Sequence, residues 1–183
     1  MSDKISSLKE KFRLALTSTA KVISDDFDLL RKSSENDKKK DFDLIEIDDV
    51  TKPSDFIKLR ADTDSAALKK KFSNNAVYRK NLPSNASSRS LYNVAEKIRY
   101  EVLGGKMLKG IEKNFQQNYS NIINTKRKDK LKTKEDVPVT EAFELYMLKN
   151  FHQIELNPLA TKILNFWEKD FEQSIEKHKK FLQ

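Results

Sequence analysis

Apolar residues recur three and four positions apart along most of this chain, with charged residues filling the intervals. That is the period of an α-helix with one buried face. In "DKISSLKEKFRLALTSTAKVIS" (3–24) the spacing gathers Ile5, Leu8, Phe12, Ala15, Leu16, Thr19, Val22 and Ile23 on one side, with Asp3 as N-cap. Thr51-Lys52-Pro53-Ser54 is a helix start, and the pattern then runs to about Asn74 with Ile57, Ala61, Leu68 and Phe72 inward. Another helix begins near Ala86 or Ser87, its stripe being Leu91, Val94, Ala95, Ile98 and Val102. After Gly105 comes a helix with Leu108, Ile111, Phe115, Tyr119 and Ile122 inward. Pro138 opens the next, which buries Val139, Ala142, Phe143, Tyr146, Met147 and Phe151. Asn157-Pro158 opens the last, where Leu159, Ile163, Phe166, Trp167, Phe171 and Ile175 share a side. Phe166 and Trp167 are expected to be buried against the first helix and the 88–103 helix. The pattern predicts one all-α domain over 1–183, an irregular bundle of about six helices. "FDLIEID" (42–48) reads as one short extended segment, and 31–41 and 126–136 read as charged, solvated loops.

Composition narrows the function. At 183 residues the chain has the length of a single domain. Eleven Phe, five Tyr and a Trp are too many for a disordered chain, even with 35% charged residues. No cysteine is present, so disulfides and thiolate chemistry are excluded. No apolar run approaches the ~20 residues that span a bilayer, and the cytoplasm is the expected compartment. The net charge of +8 raises a nucleic-acid partner. Only seven of the 36 basic residues are arginine, which makes bidentate base recognition a poor fit. A small basic helical nucleic-acid-binding protein, using the two lysine-rich loops, is the alternative reading.

Catalytic and cofactor motifs are missing. "GGKMLKG" (104–110) has glycines and lysines without phosphate-loop spacing. His152 and His178 lie on separate helices without metal-ligand spacing, and each reads as a helix-end or surface residue. No catalytic, cofactor or metal residue is assigned. What remains is polar clustering: Arg60 with Asp64, Arg89, then Glu96, Arg99 and Glu101 just before Gly104-Gly105. These form either a semi-buried ion network that fixes helix register or an exposed patch on which a partner docks. Arg99 is expected in the network and Glu101 on the outside. Gly104, Gly105 and Gly110 read as a structural turn. Gly104 would lie past a helix end in the left-handed conformation, and Gly110 would admit a close helix neighbour.

"SRSLYNVAEKIRYEVLGGKMLKGIEKNF" (88–115) resembles a segment of the aerobic cobaltochelatase subunit CobT, in which a Glu-x-x-Arg-x-Glu helix leads into a glycine, a Met, a second glycine and an Asn. Arg89, Glu96, Arg99, Glu101, Gly104, Met107, Gly110 and Asn114 stand at matching positions. "ADTDSAALKKKF" (61–72), Pro83, "EDVPVTEAF" (135–143), "PLATKILNFWEKDF" (158–171) and the helix around Phe12 and Arg13 are also similar. The likeness covers roughly residues 10–172 and is weakest across 27–52. The chain departs from it at Ser73-Asn74, where the family has His-Asp, and at Tyr78, where it has a histidine.

The resemblance implies a non-catalytic helical N-terminal part of a subunit of an ATP-dependent cobaltochelatase. That complex inserts cobalt into hydrogenobyrinic acid a,c-diamide in aerobic cobalamin synthesis. It implies a CobS-like AAA+ ATPase as partner and a CobN-like corrinoid-binding subunit as a further one. It implies no cofactor in this chain. The family's subunit continues into an integrin-I-like domain, so the chain is expected to be an N-terminal fragment or a short relative.

Overall fold

A computed structural model describes residues 2–28, 50–125 and 133–178. These hold eight α-helices and no strand: α1 (Ser2–Ser24), α2 (Pro53–Phe72), α3 (Asn75–Lys80), α4 (Ala86–Met107), α5 (Lys109–Thr125), α6 (Val139–Phe151), α7 (Pro158–Asn165) and α8 (Glu168–His178). The all-α class agrees with the periodicity, and the count exceeds six for two reasons. The six-residue α3 has no buried residue and so no apolar stripe to announce it. The last expected helix is two, broken at Phe166-Trp167. The extended segment foreseen at 42–48, the loop 31–41 and most of 126–136 lie outside the described residues. Lys134–Asp136 forms a short 3-10 turn.

Side-chain caps set the helix starts. Asp55 accepts from the backbone N–H of Thr51 and Lys52 at 3.1 and 2.8 Å, closing the first turn of α2. Asn74 caps α3 and Asn85 caps α4. Asn157 caps α7, and its amide also donates to the Ile123 carbonyl at 2.9 Å, tying α7 to the end of α5. Asp3 lies inside α1, which is already helical at Ser2, so it is not the N-cap.

Helices α2, α4, α5 and α6 pack together, α1 lies on α2, and α7 and α8 lie on α6. Leu68, Ile98, Phe115, Ile23 and Leu164 are among the largest fully buried side chains. A smaller cluster of Leu16, Val50 and Leu59 seals α1 to α2, with Phe12 and Phe56 edge-to-face. Leu8, Ala15 and Val22, expected inward, are exposed, because among the described residues α1 packs mainly on α2 and needs only a narrow stripe. Trp167, expected to be largely buried, is half-buried at the α7–α8 junction, packed on the main core. Its ring stacks on Phe171 at 6.4 Å and lies 4.2 Å below the Lys134 ammonium. Phe166 is half-buried beside it as the C-cap of α7.

The glycines do not make the turn. Gly104 and Gly105 are helical residues of α4, and no glycine among the described residues has positive φ. The chain breaks at Leu108, an extended residue (φ −139°) whose N–H still bonds the Gly104 carbonyl at 2.9 Å. Gly104 serves close approach instead. A Cβ there would come within 2.9 Å of Leu68 Cγ and nearer still to both Cδ atoms. A Cβ on Gly105 would press on that of Glu112 at 3.2 Å. Gly110, expected to admit a neighbour, has nothing within 4 Å of a built Cβ. In open space only helix propensity remains, so Gly110→Ala should stabilise the fold by about 0.5–1 kcal/mol. A denaturation midpoint at or below wild type would contradict this.

A buried polar network as the candidate site

The six candidate polar residues separate into an interior group and two surface clamps. The interior group is built on Glu101, which sits on the inner face of α4 with 1% of its surface exposed. Ser65 of α2 donates to its Oε1 at 2.6 Å, and Tyr119 of α5 donates to its Oε2 at 2.7 Å. His152, the C-cap of α6, brings Nε2 to 3.5 Å from the same Oε2. Its ring lies against Phe115 and Tyr119, at centroid distances of 5.8 and 5.5 Å. Four elements thus meet on one carboxylate. A buried carboxylate is tolerable only when donors replace its water, and the Ser65 and Tyr119 hydroxyls do so, while His152 Nε2 is buried without a hydrogen-bond partner. Burial, with the Glu101 charge adding to it, pushes the Tyr119 phenol far above its ordinary range, so Tyr119 stays a donor. The Tyr100 phenol is pushed up to about 12, chiefly by burial, against a hydrogen bond with Ser65.

Asp64, next to Ser65 on α2, is fully buried. Its Oδ2 accepts from Asn114 at 2.9 Å and lies 3.9 Å from Arg60 Nε. Its Oδ1 is buried with no hydrogen-bond partner. Burial raises the Asp64 pKa, against the opposing pull of Asn114 and Arg60. The protonated form is therefore favoured by folding. Its stabilising contribution is complete below the unfolded carboxylate pKa and is lost as pH rises through the folded one. Asp64→Asn keeps an acceptor for Asn114 and removes the charge. The variant should be more stable than wild type at neutral pH, with the gap closing in acid. Parallel pH dependences for the two proteins would refute it.

Arg99 and Glu101 exchange the positions expected of them. Arg99 is on the surface, its side chain 45% exposed, and grips both Glu96 oxygens at 2.7 and 2.8 Å. It also donates to the Phe72 carbonyl at 2.7 Å, and Ser73 donates to Glu96 at 2.7 Å. This clamp closes the C-terminal end of α2, where carbonyls lack helical partners. Arg99 holds the Glu96 pKa below the usual carboxylate range. Arg89 forms the second clamp, donating to the Pro83 and Ser84 carbonyls ahead of α4. The expected single network joining Arg60 and Asp64 to Glu96, Arg99 and Glu101 is thus corrected to separate groups.

Sequence reasoning missed Ser65 and Tyr119 as partners of Glu101, and His152 as its buried neighbour. His152 is at a helix end, as expected, but buried rather than at the surface. The available signal was weak: a histidine among the apolar residues closing α6. The positions that depart from the family pattern have local roles. Ser73 joins the Glu96 clamp, Asn74 caps α3, and the Tyr78 hydroxyl bonds Asn93.

The arrangement defines an all-α module whose buried polar groups are held by hydrogen bonds between its own helices. Among the described residues no three His, Cys, Asp or Glu side chains are grouped to hold a metal ion, and no helix is long and apolar enough to cross a membrane. The family model for cobalamin biosynthesis protein CobT matches residues 6–182, and the chain belongs to that family. That membership ties it to cobalamin biosynthesis. No curated protein and no solved structure matches it.

Proposed function

We propose that the chain is a non-catalytic accessory and assembly part of an AAA+-driven cobaltochelatase, which inserts cobalt into hydrogenobyrinic acid a,c-diamide. The observation that carries this reading is the family match over nearly the whole chain. The site geometry supports it: Glu101 and Asp64 are sealed from any substrate, while the Glu96–Arg99 clamp and a lysine-rich surface face outward. Cobalt and the corrinoid are then cargo handled elsewhere in the complex. Its partners in this reading are a CobS-like ATPase and a CobN-like large subunit, in the cytoplasm. The chain itself should hydrolyse no ATP.

The test is capture of the AAA+ subunit by the tagged chain, with and without ATP. Retention that weakens with salt supports the proposal. No retention in either nucleotide state, or micromolar nucleotide binding by the isolated chain, would overturn it.

A further inference from the structure

We propose that the cleft between the end of α2, α3 and the outer face of α4 is a binding site for a single carboxylate group on an organic ligand. The cleft has a volume of about 320 Å³ and is lined by Lys69, Asn75, Tyr78, Asn93, Lys97 and Tyr100, with the Glu96–Ser73 pair in its wall. A second opening shares Lys69, Ser73 and Asn75 with it and extends it past Lys70.

Two cations beside the cleft are already paired with carboxylates, and a third lies against a ring. Lys70 pairs with Asp26, and Arg99 holds both oxygens of Glu96. Lys97 lies 5.4 Å from the centre of the Tyr119 ring, whose hydroxyl donates to buried Glu101. Lys69 also acts on Glu96, but that carboxylate is fully engaged by Arg99 and Ser73. Lys69 is the lysine of the cleft that has neither a ring beneath it nor a carboxylate left free for it. The Asn75 amide and the Asn93 amide nitrogen add donors that meet no acceptor among the described residues, since Asn93 uses only its oxygen, toward Tyr78.

An ammonium beside a carboxylate that is already engaged, with neutral donors next to it, suits a singly charged, planar oxyanion. A phosphate dianion would leave excess negative charge beside Glu96. Aromatic walls from Tyr78 and Tyr100 favour an organic body behind the carboxylate. The same chemistry is offered by a free organic acid or by a glutamate on a partner protein. This inference does not depend on the chelatase reading.

The experiment is an NMR titration of the full chain with benzoate, with a doubly blocked glutamate dipeptide, and with inorganic phosphate. Saturable shifts at the Asn75 and Asn93 side-chain amides are expected with a carboxylate probe. Lys69→Gln should weaken that binding about tenfold, the loss of one charge-assisted hydrogen bond. Lys106→Gln, on exposed α4 surface outside the cleft, should leave it unchanged. Response to benzoate alone assigns a small-molecule acid, and response to the dipeptide alone assigns a protein carboxylate. No saturable shift, equal or tighter binding of phosphate, or an affinity indifferent to Lys69→Gln would each overturn the proposal.

Discussion

Glu101→Ala is expected to destabilise the domain by about 3–5 kcal/mol, a large share of the ~5–15 kcal/mol that holds a domain folded. The substitution removes the acceptor of two buried hydroxyls at once. Ser65 and Tyr119 would be left with unmade hydrogen bonds in a dry interior, at about 1–3 kcal/mol each. A cavity adds to this, because the site lies among α2, α4, α5 and His152 and cannot collapse onto solvent. Glu101→Gln separates the geometry from the charge. Its amide oxygen still accepts from Tyr119, and its amide nitrogen can donate to Ser65, so the loss should be about 1 kcal/mol. Arg99→Ala is the surface contrast. It opens an exposed clamp and should cost about 1 kcal/mol or less. Chemical denaturation of the three variants gives the ranking. A Glu101→Ala protein as stable as Arg99→Ala would show that the carboxylate contributes nothing to the interior.

The second large effect is expected at the crossing of α2 and α4. Leu68→Ala should cost about 2–5 kcal/mol by emptying a fully buried site. Gly104→Ala should cost about 1–3 kcal/mol by overpacking, because the new methyl would enter the space of the Leu68 side chain. Helix propensity works the other way at Gly104, returning about 1 kcal/mol for alanine over glycine, so the net loss there is the smaller. The two substitutions are complementary in volume. Leu68→Ala makes the room that a methyl on position 104 needs, and that methyl fills part of the cavity. The double variant should therefore be more stable than the summed single losses by about 0.5–3 kcal/mol. Strict additivity would show that the helices separate instead of interlocking.

The buried network also bears on assembly. With Glu101 and Asp64 internal, neither is presented to a partner, whereas Arg99 on the outer face of α4 is exposed. Loss of partner capture in a surface variant of normal stability would then report docking, whereas the same loss in Glu101→Ala would report unfolding.

The sequence by itself determined the helical class and most helix positions. Three-four spacing records which face of each helix leaves water, and Asn or Pro before an apolar run records where the helix starts. Both are local properties, so α2, α4 and α7 could be placed from their own residues. The sequence also marked Asp64, Glu96, Arg99 and Glu101 as polar residues close to apolar stripes. Tertiary structure alone decided their fates. Position 101 lies where α2, α5 and His152 converge, and partners 36 and 18 residues away made a carboxylate stable there. Position 99 lies where α2 ends, so its guanidinium found an orphan carbonyl. The glycines divide in the same way. A glycine pair before a break reads as a turn when only its neighbours in the chain are known, yet Gly104 is needed for Leu68, a residue 36 positions earlier. Hydrophobic period is set by neighbours in sequence, whereas burial of a charge and tolerance of a methyl are set by what other helices bring to the same point.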